Sequence, residues 1–333
     1  MFNWLFRRED NTSRKDVRQA LDRIVEVAPQ VRLASRYESR IGAVIGKTLD
    51  HAQELVAALP APRDATPGAW ADDPYLRAKF ATPDDIVKVI GESRDVRAWF
   101  DDNIAADHTF AVLGATLAER RVLVSAVENG VMRTDVARTA VSFDDKRVRF
   151  CSETDEALRQ ELVQRIVEQF ALEAMSRVEQ QEARRDVLKE HRALLAARMQ
   201  MLGRRGAGFG SLIASTDLSG DSTRLQRDFE ENDAALAALG SLTDSIEAQL
   251  QTIIDLLAEP AALISLTHRE LCLNQMNLLM EERCDGPHAD IAIVLAHLPT
   301  QPPQIRAVEI VRIARRDVPP AGAAFDEAAR LVL

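Results

Sequence analysis

The chain has 333 residues, 46% of them hydrophobic and 28% charged, so it can bury a sizeable core in two or three domains. Its formal net charge of -10 disfavours nucleic-acid binding through bulk charge, so no nucleic-acid partner is expected. The three cysteines, Cys151, Cys272 and Cys284, form no CxxC pair and indicate a reducing cytoplasm rather than a disulfide framework. No apolar run approaches the roughly 18 residues of a membrane-spanning helix.

The N-terminus allows two interpretations. Phe2, Trp4 and Phe6 precede Arg7 and Arg8, and aromatic side chains beside arginines suit contact with an anionic lipid surface. In that case the protein lies peripherally on the inner membrane. Alternatively, this end packs on the protein's own core, which is favoured because stable anchoring usually needs two signals.

Two helices are predicted next, near 14–28 and 31–59, because each range carries an apolar face at helical spacing. Prolines then make 60–74 a Pro-rich linker. Thr82-Pro83-Asp84-Asp85 combines an N-cap, a first-turn proline and two acids, so it predicts a helix start. Ser93 is the predicted cap of a further short helix.

Residues 108–151 are rich in β-branched residues, and they predict a β-meander of three or four strands. Asn129-Gly130 suits a two-residue hairpin turn because both residues tolerate positive φ. Asp144-Asp145-Lys146 is predicted to turn the chain once more. With the preceding short helices, this region forms a predicted unit over 75–151.

A helical period returns at Thr154 and continues to about Leu202, with Val187, Leu188, Leu194 and Leu195 on its apolar stripe. The following segment, 221–258, carries a seam in which residues alternate by four and three, as in a coiled coil. Eight of its ten seam positions are large and apolar, and Asn232 and Thr243 are the exceptions. The ten positions are Leu225, Phe229, Asn232, Leu236, Leu239, Thr243, Ile246, Leu250, Ile253 and Leu257. The two segments predict an antiparallel helical hairpin.

Strand patterns resume after Pro260, at 263–267, 271–279, 290–297 and 305–313. Each β region is small, so the two are expected to form one sheet or two packed sheets. The fold predicted is therefore α+β: a split antiparallel β region with an inserted long coiled-coil hairpin, preceded by N-terminal helices. The predicted divisions are 1–59, 60–74, 75–151, 152–259 and 260–333, the last packed with 108–151.

Candidate binding residues lie on the hairpin. Arg204, Arg205 and Phe209 belong to a glycine-rich loop at its tip, which lacks the context of a phosphate-binding loop. The acidic second helix adds Glu230, Glu231 and Asp233 as partner-binding candidates. Asn232 and Thr243 are polar seam residues, and such residues set helix register at a cost in stability.

No catalytic residue, cofactor or metal ligand is assigned from the sequence. Cys284, Asp285, His288 and Asp290 carry metal-compatible atoms, but no second Cys/His pair completes a zinc site. The three histidines His268, His288 and His297 fall at predicted strand ends or loops. They could form a catalytic site only by coming together in space, and sequence alone does not reveal such a site.

Three functions stay open. The first is a non-enzymatic scaffold or adaptor of a bacterial cytoplasm, which binds a partner protein or a second copy through the coiled-coil arm. In general shape, a β region with a helical arm is similar to bacterial adaptor proteins. The second is an enzyme with a site assembled in the β region. The third is a peripheral membrane protein anchored by residues 2–8.

Overall fold

A computed structural model of the chain describes residues 3–128, 131–206, 217–239, 243–280, 288–300 and 302–320. The chain divides into two compact units. The helical unit contains Met1–Thr48 and Val167–Glu259, and the sheet unit contains Leu49–Ile166 and Pro260–Leu333. The described residues form eight α-helices and one six-stranded sheet, which confirms the predicted α+β class.

Five long helices contribute to the helical unit: α1 Asn3–Val27, α2 Tyr37–Ala57, α6 Asp155–Gly206, α7 Asp217–Ala238 and α8 Thr243–Ala258. Large apolar side chains on three of them, including Ile24, Ile41, Ile45, Leu250 and Ile253, are almost wholly buried. The hydroxyl of Thr48 donates to the carbonyl oxygen of Leu257 at 2.9 Å, so α2 and α8 are also joined by a buried hydrogen bond.

The segment predicted as one heptad helix is two helices. α7 ends at Ala238 and α8 begins at Thr243, while residues 240–242 lie outside the described part of the chain. The prediction of one continuous helix was therefore wrong. The sequence between the two helices contains Gly240, a residue that costs a helix about 1 kcal/mol relative to alanine. Coiled-coil packing of these helices stays a prediction.

The sheet unit contains strands from both halves of the chain, in the order β3-β2-β6-β5-β4. The strand bounds are β1 Arg63–Asp64, β2 His108–Glu128, β3 Val131–Ser152, β4 Ser265–Asn274, β5 His288–Leu298 and β6 Gln304–Ala314. β2 pairs antiparallel with β6, with Ala111 opposite Val311. The two β regions therefore form one sheet, as one of the two predicted arrangements required.

Three strand predictions need correction. Residues 108–151 form two long strands rather than a meander of three or four. Asp144–Lys146 does not turn the chain, because it lies within β3, where Asp145 has a φ of 46° at an irregularity in the pairing with β2. The predicted strands 263–267 and 271–279 merge largely into β4. The predicted Asn129-Gly130 turn lies outside the described residues.

The proline-rich segment 60–74 is not only a connection. Its residues Arg63 and Asp64 form β1, which pairs in parallel with Val311 and Arg312 of β6. Sequence patterning could not reveal a strand of two residues, because a period of two needs four or more positions to be recognised.

Three short helices pack on one face of the sheet: α3 Pro74–Lys79, α4 Pro83–Glu92 and α5 Arg94–Asp102. The predicted caps are confirmed. Thr82 and Asp85 form a reciprocal capping box, and the Ser93 hydroxyl accepts from the amide of Val96. Apolar residues of these helices, such as Leu76, Ile90 and Phe100, pack with Val311 of the sheet in one core cluster.

A short segment after β4 contacts both edge strands of the sheet. The amide of Val141 on β3 donates to Asn277 at 2.8 Å, and the amide of Leu279 donates to Thr139 on β3 at 2.8 Å. The amide of Met280 donates to Cys272 on β4 at 2.9 Å. The segment 277–280 therefore provides backbone hydrogen-bond partners to both β3 and β4.

Candidate functional site

Helix α6 lies antiparallel to α7 and α8 within the helical unit. Arg192 forms an ion pair with Asp233 at 2.8 Å, and further towards the N-terminus of α6 the Gln249 amide is 3.4 Å from the Glu182 carboxylate. Residues earlier in α6 therefore contact residues later in the chain segment that forms α7 and α8, as antiparallel helices do. These contacts fix which side of α6 is occupied by the neighbouring helices and which side faces outward.

The outward side of α6 carries a line of exposed apolar residues, here named the outer row: Val187, Leu194 and Met201. Their exposed fractions are 65%, 69% and 68%. They are seven residues apart, which is two helical turns, so they share one face. A single exposed apolar residue is ordinary on a protein surface, whereas a contiguous apolar patch marks an interaction site when it is large enough.

Val187 and Leu194, predicted on the apolar stripe of α6, are exposed, so their predicted placement was wrong. Their neighbours Leu188 and Leu195 are the more buried residues, and Leu195 is only 6% exposed. The two adjacent apolar positions could not be separated by period alone, because both recur every seven residues. The full outer row, including Met201, was therefore missed, although its seven-residue spacing was present in the sequence.

A basic flank borders the outer row, formed by Arg184, His191 and Arg198, which are exposed and also seven residues apart. Within the described chain, Arg184 and Arg198 have no ion-pair partner, whereas Arg177 and Arg192 on the same helix are paired. The flank therefore presents two positive charges that no described carboxylate neutralises. Neither arginine was singled out by the sequence analysis as a binding candidate.

Those predicted partner-binding residues that the structure describes lie on two different helices. Glu230 and Glu231 are exposed on α7, but Asp233 is already paired with Arg192. Arg204 is exposed near the end of α6, the side chain of Arg205 is not among those described, and Phe209 lies outside the described residues. The predicted glycine-rich tip is thus only partly described.

Asn232 occupies a buried position facing α6, as the predicted seam required. It is 5% exposed, its Nδ2 is 3.3 Å from Nδ1 of His191, and its Oδ1 has no hydrogen-bond partner. An unpartnered buried amide oxygen lowers the free energy of unfolding, and a loss of stability is expected of a polar residue that sets helix register. Thr243 is the first residue of α8, and its side chain is not described.

The sheet unit contains a second candidate, a cleft of about 320 Å³ where β5 and β6 separate. The two strands pair from Leu298↔Gln304 to Leu295↔Ala307, and beyond that point Val294 and Val308 line the cleft. Arg63, Tyr75 and Glu309 also contribute to its walls. Clefts of this size with a few convergent polar groups are common ligand sites.

Several polar groups in and beside this cleft are bonded to one another, whereas His268 and Asp290, which also line it, lie outside that network. Lys79 Nζ is 2.6 Å from Glu309 and 3.1 Å from the Tyr75 hydroxyl. The Arg63 guanidinium forms ion pairs with Asp73 and Glu309 and stacks over the Tyr75 ring at 4.4 Å. Two cations therefore balance two carboxylates. This arrangement has the features of a structural ion-pair network.

Burial shifts the titration of this network. It lowers the pKa of Lys79, because the charged amine loses hydration, although the Glu309 carboxylate opposes the shift. Burial also raises the pKa of Tyr75, and the negative charge of Glu309 adds to that effect. Tyr75 is thus kept as a neutral phenol that can accept from Lys79.

The histidines considered for an enzyme site are not brought together. His288 and His297 lie nine residues apart on one strand, about 30 Å at the rise of a β-strand. His268 contacts the carbonyl oxygen of Ala58 at 3.3 Å, and His297 contacts the Thr267 hydroxyl at 3.0 Å. Among the described side chains no group of three metal-ligating residues forms, and Cys284 and Asp285 lie outside them.

The side chains of the proposed membrane contact lie outside the described part of the chain. Phe2 lies outside the described residues, and Trp4 and Phe6 lie in α1 with side chains that are not described. Among the described residues, no helix combines the length and apolarity needed to cross a bilayer. Contact of residues 2–8 with a membrane surface stays a prediction.

Comparison with known proteins gives no further guide to these sites: no family model, no curated protein and no solved structure matches the chain.

Proposed function

We propose that the protein is a non-enzymatic scaffold or adaptor that binds another protein chain through the outer row of α6. The observation that carries this proposal is the exposure of Val187, Leu194 and Met201 along one helical face. Burying large apolar side chains is the main driving force of protein association, and a helix laid along such a row would cover all three.

The basic flank supports the same proposal. Arg184 and Arg198 lie one helical turn from the outer row and have no ion-pair partner among the described residues. Charges around an apolar strip choose the partner and orient it, while the apolar residues supply most of the affinity. The expected partner surface is therefore an amphipathic helix with acidic residues beside its apolar face.

The cleft in the sheet unit gives weaker support for an enzyme. Three of its lining residues, Arg63, Asp73 and Glu309, are paired with one another or with the buried Lys79. His268 and Asp290 also line the cavity and lie outside this network. A buried, balanced network of this kind is more often structural than catalytic.

The test compares two variants of the full chain, each used to isolate bound proteins from the cells that encode it. Leu194→Glu places a charge in the outer row, and Ile104→Glu places one at an apolar residue of the sheet unit that is 83% exposed. We expect the wild type and Ile104→Glu to retain the same bound proteins and Leu194→Glu to lose them. Equal sets from all three chains would overturn the proposal.

A further inference from the structure

We infer that the sheet unit holds a binding site for a small aromatic carboxylate, in a cavity that the proposed function does not use. The cavity has a volume of about 560 Å³, which is larger than the cleft of about 320 Å³ beside Glu309. It lies between α3, the end of β4, the start of β5 and the turn that follows β4. Small-molecule sites typically have volumes of about 300–1,000 Å³, so the size is suitable.

The walls of this cavity are fixed by hydrogen bonds within the protein. Trp70 Nε1 donates to the carbonyl oxygen of Phe80 at 2.8 Å. Asn277 Nδ2 donates to the carbonyl oxygen of Ala78, also at 2.8 Å. In the turn after β4, Asn274 Oδ1 accepts from two backbone amides at 2.9 Å. Because these groups are ordered before a ligand binds, binding does not have to supply the free energy of ordering them.

Arg77 gives the cavity an unneutralised positive charge. Among the described residues that line the cavity it is the only permanently charged one, and none of them is a carboxylate. Its Nη1 donates to the carbonyl oxygen of Ala71 at 2.8 Å, which orients the guanidinium, while Nε and Nη2 have no partner within the described chain. Two N–H groups on one edge of a guanidinium match the two oxygens of a carboxylate. The cavity therefore suits a ligand with one carboxylate.

The remaining wall is mostly apolar, so the ligand also needs an apolar body. Leu273 and Ile291 line the cavity and are only 3% and 4% exposed, and Trp70 is half-buried beside them. A phosphate ion fits less well because it has no apolar part to cover these side chains. An aromatic ring can contact this wall while its carboxylate pairs with Arg77.

Calorimetric titration of the full chain with cinnamate tests the inference, and cinnamamide, which has the same ring but no charge, is the control probe. Arg77→Gln removes the charge at the cavity. Arg94→Gln is the matched control, because Arg94 on α5 is exposed, unpaired within the described chain and not part of the cavity wall. Ala289→Phe fills the cavity, because Ala289 lines it and lies on the face of β5 that carries Ile291.

We expect the wild type and Arg94→Gln to bind one cinnamate per chain with equal affinity. Arg77→Gln and Ala289→Phe should each bind it at least about tenfold more weakly. The wild type should prefer cinnamate to cinnamamide by at least about tenfold, and Arg77→Gln should lose that preference. Melting temperatures that match the wild type in the absence of a probe show that the variants are folded.

The inference is overturned if the wild type binds no cinnamate at millimolar concentrations, or if either cavity variant binds it as tightly as the wild type. Equal affinity of the wild type for the two probes would also overturn it, because uptake would then depend on the ring alone. None of these outcomes bears on the outer row, since Leu194→Glu tests that surface separately.

Discussion

Lys79 on α3 and Glu309 on β6 form an ion pair with 2.6 Å between Nζ and Oε1, although their side chains are only 0% and 4% exposed. The pair joins the first short helix of the sheet unit to a central strand. Removal of one partner leaves the other charge buried without compensation, which costs far more than the intact pair contributes.

The first prediction concerns this pair. Glu309→Leu should lower the free energy of unfolding by about 3–5 kcal/mol, while the double variant K79M/E309L should recover most of that loss. Urea denaturation followed by circular dichroism measures both. Asp64→Ala, which breaks an exposed ion pair with Arg312, is the control and should cost less than about 1 kcal/mol. A loss below about 1 kcal/mol for Glu309→Leu alone would contradict the account.

The second prediction concerns the buried amide of Asn232. Asn232→Leu should raise the free energy of unfolding by about 1 kcal/mol, since it removes a polar oxygen that has no partner. The exposed Gln226 on the same helix is the control, and Gln226→Leu should change stability by less than about 0.5 kcal/mol. Destabilisation by Asn232→Leu would show that its contact with His191 outweighs the unpaired oxygen.

The third prediction concerns pH and the contact between Arg40 and Glu247. Hydrogen bonds from Arg40 and from the Ser35 amide lower the pKa of Glu247 below its ordinary value of 4.5. A lowered pKa in the folded state stabilises the protein above pH 4.5, and that contribution is lost as pH falls through the lowered value. Glu247→Gln should therefore be less stable than wild type at neutral pH and equal to it in acid. A difference that persists unchanged in acid would exclude this linkage.

The fourth prediction concerns the Cys151 thiol. Burial, assisted by the negative charge of Asp95, raises its pKa to about 12 from an ordinary 9.0. At pH 8 the reactive thiolate is then about a thousandfold scarcer than for an ordinary cysteine. In the variant C272S/C284S, an aromatic disulfide reagent should label Cys151 at least about a hundredfold more slowly in the folded than in the urea-unfolded chain. Rates within tenfold of each other would show that the thiol is accessible.

The elements with strong local signals were predictable from the sequence. The capping box at Thr82 and the cap at Ser93 were placed correctly, because a cap needs only residues within one turn. The strand patterns of β5 and β6 were placed within a few residues, because apolar and polar residues alternate there. The association of the two β regions, as one sheet or two packed sheets, was anticipated because neither region is large enough alone.

The remaining features depend on contacts that have no local signal. The seam over Leu225–Leu257 gave no indication that α7 and α8 would be separate, because each half keeps the heptad spacing. Pairing of Lys79 with Glu309 joins residues 230 positions apart, and nothing in either neighbourhood marks the partner. The outer row was visible as a repeat, but only the structure distinguishes its exposed positions from the buried positions beside them.

The most direct test of the account uses photo-crosslinking in living cells. A photoreactive phenylalanine derivative replaces Leu194 in one version of the full chain and Ile104 in another, both of them exposed apolar positions. We predict protein adducts at position 194 and none at position 104, since only the outer row binds another chain. The absence of adducts at position 194, or equal adducts at both positions, would contradict the central claim that α6 is a protein-binding surface.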